Sequence, residues 1–161
     1  MFSSFASDEE YILKAGFIEK IAEFITWPSK SEIEDISKPF VIKVIGGEPF
    51  DNILTERYKN NKIKKKEVKI YYIDKINEIK ESNILFVTKS VKIEPSEILS
   101  FTRDKPILTI GETKNFAKKG GHINFYFTEN NTLAFEINES KIRESGLKVD
   151  LLLLEVAKII R

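Results

Sequence analysis

The sequence predicts an α/β fold, a three-layer sandwich in which a mostly parallel sheet is flanked by helices and followed by a C-terminal antiparallel β-hairpin. Two patterns support this prediction. Between residues 39 and 121, four short runs rich in Ile, Val and Phe alternate with helical segments, as parallel strands joined by crossover helices do. Over residues 122–138, two runs of alternating apolar residues flank a Glu-Asn-Asn-Thr turn, which indicates the hairpin.

The chain has 161 residues, a length that fits one domain. A chain of this size can bury roughly 70% of the surface that its unfolded form exposes, so a core can form without a metal or a disulfide. We therefore expect one domain over residues 1–161, with a helix over 7–26, an α/β core over 39–121, the hairpin over 122–138 and a C-terminal helix over 150–161.

The first helix is predicted from its end signals and its apolar pattern. Ser7 and Glu10 form a capping-box pattern at the start, and Pro28 stops helical propagation. Two neighbouring apolar stripes offer more apolar surface than one sheet face needs. They consist of Tyr11, Ala15, Ile18, Ala22 and Ile25, and of Leu13, Phe17, Ile21 and Phe24. The helix therefore either lies between the sheet and other helices or shares a surface with a second subunit.

The α/β core is predicted from short apolar runs and the segments between them. The predicted strands are "FVIKVIGG", "EVKIYYI", "NILFVTKS" and "PILTIGE", and the predicted helices are "PFDNILTERYKNN", "KINEIKES", "PSEILSFTR" and "KNFAKKG". Asp150 is a favourable N-cap for the last helix.

Composition excludes several classes of site. The chain has 26 Lys and Arg against 25 Asp and Glu, a net charge of +1, so no global field favours nucleic acid or an anionic membrane. The absence of Cys excludes disulfides, thiolate zinc sites and cysteine nucleophiles, and a single His excludes multi-histidine metal sites. We therefore expect neither a metal nor a cofactor. No run approaches the ~20 apolar residues of a membrane span, so we expect no direct membrane insertion. If the protein is exported, its signal peptide is absent from this chain.

The segment "NFAKKGGHINF" contains adjacent glycines, lysines and the only His of the chain. A phosphate-binding glycine loop follows a strand and opens a helix, whereas Gly120 and Gly121 follow a helical segment and precede a strand. We interpret the glycines as a structural turn, with Lys118 and Lys119 in the last helical turn. His122 has no adjacent carboxylate or nucleophile, so we interpret it as structural.

A small polar ligand is better expected at the carboxyl ends of the parallel strands. Three loops lie there, formed by Gly46, Gly47 and Glu48, by Thr88, Lys89 and Ser90, and by Gly111, Glu112 and Thr113. The alternative is that these are ordinary turn residues, which any α/β domain has in these places.

No pattern of a catalytic site is present. The sequence lacks a GxxxxGK loop, a GxSxG elbow and an HExxH pair, and we predict no catalytic residue. A lysine-rich run from Lys59 to Lys69 lies beside Tyr71 and Tyr72. Such a run can bind single-stranded nucleic acid, but lysines also protect an edge strand, and we favour the edge strand.

Four consecutive leucines begin the last helix. On a helix they span roughly 300° of arc, so they cannot all face one sheet. We predict a homodimer whose interface draws on residues of the two terminal helices, with an intrachain cover as the alternative. The candidate interface residues are Phe17, Ile21, Phe24, Leu151 and Leu152.

Several segments together resemble the YfiR-like family. "YILKAGFIEKIAEFITWP" is similar to its first helix, "FVIKVIGGEPF" to its first strand and turn, and "NILFVTKS" to its Ile-Leu-Phe strand. "PILTIGETKNFAKKGGHINF" and "LAFEINESKIRESGLKV" resemble its later segments. The resemblance spans nearly the whole chain in the right order.

The resemblance implies a periplasmic, non-catalytic regulator, without a cofactor, that represses a membrane-bound diguanylate cyclase through the cyclase's periplasmic region. Redox control through cysteine pairs, known for some members, does not carry over because this chain has no Cys. Two alternatives stay open: a small-ligand sensory domain that uses the strand ends, and an enzyme with an unrecognised site.

Overall fold

The computed structural model describes the backbone of residues 2–160 and the side chains of residues 8–160. Its helices are α1 (Phe2–Glu23), α2 (Ile53–Arg57), α3 (Pro95–Thr102), α4 (Glu139–Glu144) and α5 (Leu151–Val156). Its strands are β1 (Ile25–Thr26), β2 (Phe40–Ile45), β3 (Val68–Ile73), β4 (Ile84–Val87), β5 (Leu108–Gly111), β6 (Ile123–Phe127), β7 (Leu133–Asn138), β8 (Lys148–Val149) and β9 (Lys158–Ile160).

Within this described part, seven strands form the main sheet in the order β3-β2-β4-β5-β6-β7-β9. Strands β2 to β6 are parallel, β7 returns antiparallel to β6, and β9 is parallel to β7. Strands β1 and β8 form a separate antiparallel pair. The predicted α/β architecture with a parallel sheet and a following antiparallel hairpin is therefore confirmed.

Both faces of the sheet are covered because the parallel strands carry apolar side chains on both sides. On the first face, Ile42 and Phe86 belong to a core that includes Ala15 and Ile18 of α1 and Leu54 of α2. The second face has its own core, which is formed by Ile45, Leu85, Val87, Ile98, Leu99 and Phe116. Helix α3 packs on this second face, which produces the three layers.

Helix α1 differs from its prediction at both ends. It begins at Phe2, so Ser7 is an interior position instead of the cap; the Ser7 side chain lies outside the described residues. It ends at Glu23 instead of residue 26, because Ile25 leaves the helix and pairs with Val149. The Asp150 N–H donates to the Phe24 carbonyl at 2.9 Å, which joins the helix end to the start of α5.

The core helices are shorter than predicted. The segment predicted as a helix over residues 49–61 is helical only at Ile53–Arg57, and the one over 75–82 only forms a 3-10 turn at Ile76–Glu78. The helix predicted over residues 114–120 is wrong, because that segment consists of turns. Lys118 and Lys119 therefore do not lie at a helix end.

The 114–120 segment is held in its turns by side chains of the sheet. Asn124 Oδ1 accepts the Ala117 N–H at 3.2 Å, and Asn138 Nδ2 donates to the Ala117 carbonyl at 2.8 Å. Gly120 has φ of +113°, a conformation that glycine favours. A Cβ on Gly121 would lie 2.2 Å from the Phe116 ring, so the close packing of that ring requires glycine there.

The C-terminal segment also departs from its prediction. The helix predicted over residues 150–161 ends at Val156, and the chain continues as β9, in which Ile159 lies opposite Ile137 of β7. The free edge of β7 offers backbone partners that a longer helix would leave unused. Asp150 caps α5 as predicted, since its Oδ1 accepts the Leu152 N–H at 2.8 Å. Helix α4, capped by Asn138, was not predicted.

Candidate functional site

The loops after β2, β4 and β5 meet at the carboxyl ends of these strands, because the three strands are parallel neighbours. The Thr88 hydroxyl donates to the Gly46 carbonyl at 2.6 Å, and the Ser90 N–H donates to Thr88 Oγ1 at 3.2 Å. Glu112 Oε2 accepts the Lys89 N–H at 2.8 Å. The structure therefore brings the three predicted loops together, although these contacts join the loops to one another.

Helix α1 contributes side chains to the carboxyl ends of the strands, which the sequence analysis did not predict. Lys14 Nζ lies 2.7 Å from Glu112 Oε1 and 2.5 Å from Glu10 Oε2, and the Tyr11 hydroxyl donates to Glu112 at 3.0 Å. We call Glu10, Tyr11, Lys14, Lys89 and Glu112 the Glu112 cluster. The signal in the sequence was a lysine between two apolar stripes with a glutamate four residues before it.

The centre of the Glu112 cluster is buried. The side chains of Lys14 and Glu112 are 4% and 1% exposed. Burial, and then the neighbouring Glu112 carboxylate, raise the pKa of Tyr11 well above its ordinary value, so its phenol remains a hydrogen-bond donor. The Lys14 ammonium also lies 4.8 Å from the centre of the Tyr11 ring. Every partner that a buried charge requires is thus supplied from within the chain.

The Glu112 cluster occupies the place where a small ligand was expected. Of the predicted ligand residues, Thr88 and Gly111 are buried, and Gly46 and Thr113 are partly buried. Gly47, Glu48, Lys89 and Ser90 lie exposed at the outer rim. The strand-end crevice is therefore filled by Tyr11 and Lys14 of α1.

His122 lies at the boundary between β5 and β6, away from the Glu112 cluster. Its Nδ1 accepts the Thr109 N–H at 3.1 Å, and its own N–H donates to Thr109 Oγ1 at 3.0 Å. The residue is 3% exposed. Burial lowers the pKa of His122 to about 4, although a hydrogen bond with the Lys141 backbone opposes the shift. The neutral imidazole thus accepts a backbone N–H of β5, in place of a hydrogen bond between two strand backbones.

The predicted interface residues divide into buried and exposed sets. Ile21 is 1% exposed and belongs to the core, so it is not available for an intermolecular surface. Phe17 is partly buried and packs edge-on against Phe125 and Phe135. Phe24 is partly buried against the same core. The sequence does not show where the hairpin lies, and the hairpin strands are what cover Phe17.

Two of the four leucines of α5 are exposed at the surface. Leu151 and Leu152 are 74% and 59% exposed, whereas Leu153 and Leu154 are buried. A single turn of helix thus places two leucines in the core and leaves two on the surface, as the arc that they span requires.

Two surface grooves lie away from the strand-end crevice. One of about 1280 Å³ follows the amino ends of the parallel strands, and one of about 930 Å³ lies beside Trp27. The Trp27 Nε1 has no acceptor among the described residues, but this nitrogen is itself shielded from solvent and is not presented to the groove. Within residues 8–160, no group of three or more His, Cys, Asp or Glu side chains could hold a metal ion.

We expect Glu112→Gln to lower the free energy of unfolding by roughly 3 kcal/mol, because it leaves the buried Lys14 ammonium with one carboxylate instead of two. Adding Lys14→Met should restore part of the loss by removing the buried charge. Urea denaturation measures both effects. Lys89→Ala is the matched control: its side chain is 59% exposed, and its 3.7 Å contact with Glu10 should contribute under about 1 kcal/mol. Equal losses in Glu112→Gln and Lys89→Ala would contradict the role of the cluster.

The low pKa of His122 predicts a pH dependence of stability. The folded chain binds the His122 proton with a pKa of about 4, whereas in the unfolded chain His122 has its ordinary pKa of about 6.5. Stability is therefore fully present above the unfolded pKa and falls as pH decreases towards 4, by on the order of 3 kcal/mol. Denaturation of the wild type and of His122→Asn at several pH values isolates this contribution, because other groups titrate in both proteins. Parallel pH profiles would refute it.

Comparison with known families adds an independent line of evidence. Residues 11–158 match the model of the YfiR/HmsC-like family, whose members are periplasmic regulators in cyclic-di-GMP signalling and are not known as enzymes. No curated protein matches the chain. In the described residues, no helix has the length and apolar character needed to cross a membrane. Because the match covers most of the chain, including both faces of the sheet, the hairpin and every member of the Glu112 cluster except Glu10, the chain belongs to the YfiR/HmsC-like family.

Proposed function

We propose that this chain is a non-catalytic regulatory binding module in the periplasm that controls a membrane-bound diguanylate cyclase through the cyclase's periplasmic region. The observation that carries the proposal is the family match over residues 11–158. The geometry supports it because the strand-end crevice, where domains of this topology bind small molecules, is filled by Tyr11 and Lys14.

The two alternatives have less support. A small-ligand sensor that used the crevice would have to displace the buried Lys14 and Tyr11 side chains from Glu112, which would leave buried charges unpaired. An enzyme would require a reactive group within reach of a substrate. The only histidine is buried and hydrogen-bonded to the Thr109 backbone.

Deleting the gene for this chain should raise cellular cyclic-di-GMP, because the proposed module represses synthesis. The chain supplied in trans with a signal peptide should restore the lower level. Immobilised chain should also recover a membrane-bound diguanylate cyclase from solubilised membranes of the same cells. His122→Gln is a suitable control, since this buried residue should not take part in partner binding. Unchanged cyclic-di-GMP together with failure to recover a cyclase would refute the proposal.

We also propose that two copies associate through the exposed leucines of α5. Leu151 and Leu152 lie beside Val156, which is 73% exposed, so three neighbouring apolar side chains face outward from one short helix. A second copy covers them with the same surface in a two-fold arrangement. The proposal no longer includes Ile21, which is buried in the core.

Replacing Leu151 with Ser and Leu152 with Lys should shift the molecular mass from dimer to monomer in light scattering and preserve the thermal unfolding transition. Both side chains are exposed, so their loss should not open the core. Leu153→Ala is the matched control: it should lower stability by roughly 2 kcal/mol or more because Leu153 is 4% exposed. A wild-type chain that is monomeric at micromolar concentration would refute the dimer.

A further inference from the structure

The larger groove lies on the second face of the sheet, beside β2 and β3. Val41 of β2, and Tyr71 and Ile73 of β3, line its floor on the second face of the sheet. Helix α3 contributes Ile98 and Leu99 to the core of that face, and Tyr71 remains 46% exposed. The groove continues along the amino ends of the strands to Pro106 and Ile107. Its floor is therefore formed by regular strands and is apolar apart from Lys43.

The walls of this groove carry a surplus of positive charge. Six lysines and three glutamates line it, although the whole chain has a net charge of only +1. We call it the lysine groove, after Lys30, Lys38, Lys43, Lys66, Lys80 and Lys105. Within the described residues, only Lys38 and Lys105 of these six contact a carboxylate. Lys66 is 1% exposed, so the unpaired charge at the surface of the groove comes from Lys30, Lys43 and Lys80.

Two of the lysines are fixed by backbone carbonyls. Lys43 Nζ donates to the carbonyls of Glu78 and Lys80 at 2.7 and 2.5 Å. Lys66 Nζ donates to the carbonyls of Glu32 and Asp35, both at 2.9 Å, which holds the wall formed by that loop. These contacts hold Lys43 and the loop of Glu32 and Asp35 in place before any partner binds, whereas the exposed Lys30 and Lys80 would be ordered on binding.

Strand β3 forms the rim of the lysine groove and one edge of the main sheet. Its outer backbone groups pair with no strand of the described residues. Lys69 is exposed on the same strand, and lysines on an edge repel a second copy of that edge. The same lysines attract an edge partner of opposite charge. An extended peptide that adds beside β3 would gain main-chain hydrogen bonds and direct alternate side chains over the groove.

We propose that the lysine groove is a docking site for an acidic, extended segment of a partner protein, which adds as a strand beside β3 with carboxylates towards Lys30, Lys43 and Lys80. Charge complementarity and the open strand edge favour a peptide. The apolar floor and the near-neutral whole chain do not favour a nucleic acid. The inference goes beyond the proposed function and does not depend on the partner being a cyclase.

The test uses fluorescence anisotropy with the full chain and a labelled peptide of alternating Glu and Val that matches β3 in length. We expect salt-dependent binding that a matched Gln and Val peptide lacks. Reversing the exposed Lys30 and Lys80 to Glu should weaken binding by roughly tenfold or more. The matched control reverses Lys118 and Lys119, which are also exposed but lie outside the groove, and should leave affinity unchanged.

Hydrogen exchange locates the bound peptide. Amides of residues 68–73 should gain protection with the acidic peptide and not with its Gln counterpart. A Lys30→Gln, Lys80→Gln variant gives a milder test with the same expected direction. Equal binding of the two peptides, equal losses in the two charge-reversed variants, or tighter binding of single-stranded oligonucleotide or anionic vesicles would overturn the proposal. None of these outcomes would contradict the regulation of a cyclase, which the cellular cyclic-di-GMP measurement tests separately.

Discussion

The buried ion pair between Lys14 and Glu112 determines where α1 lies on the sheet. Apolar contacts alone allow a helix to slide or rotate, because burial is not directional. The Lys14 ammonium lies 2.5 Å from Glu10 of the same helix and 2.7 Å from Glu112, and the contact with Glu112 relates α1 to the sheet, since a shift of the helix would leave two buried charges poorly paired. The Tyr11 hydroxyl and the Lys89 N–H also donate hydrogen bonds to Glu112, and these bonds link α1 to the loops after β4 and β5. The carboxyl ends of the parallel strands, where this architecture most often binds ligands, are thereby closed.

Because the carboxyl ends of the parallel strands are closed, the two edge strands of the sheet are the candidate surfaces for a partner. Strand β3 forms one end, and β9, which directly follows the exposed leucines of α5, forms the other. A dimer formed through Leu151 and Leu152 would leave the lysine groove accessible on both copies. Self-association and capture of an acidic segment are therefore compatible in one assembly, which would present two grooves at a distance from the two-fold axis.

The strands were predictable from the sequence, whereas the contacts that complete the site were not. Continuous apolar runs such as "ILFV" and "LTIG" identify strands that are buried on both faces, and the alternation around "TENNT" identifies the hairpin. The 114–120 turns depend on Asn124 of the following strand β6 and on Asn138 of β7, which is 21 positions from Ala117. Strand β9 depends on the free edge of β7, and the Glu112 cluster joins residues 98 positions apart. Local patterns carry no information about such distant partners.

The arrangement of charges also bears on how such a module can respond to a partner. Helix α1 is held by a buried cluster, and two of the groove lysines, Lys43 and Lys66, are held by carbonyls, so these side chains already have their partners in the free chain. A ligand shifts a conformational equilibrium only when it binds two states differently. With these contacts already made and no cysteine pair to oxidise, we expect control to follow from occupancy: the partner is bound or free according to local concentration and competing binders. Affinity and salt dependence at the groove are then the quantities that set the response, since the outer backbone groups of β3 pair with no strand of the described residues and can receive an added strand.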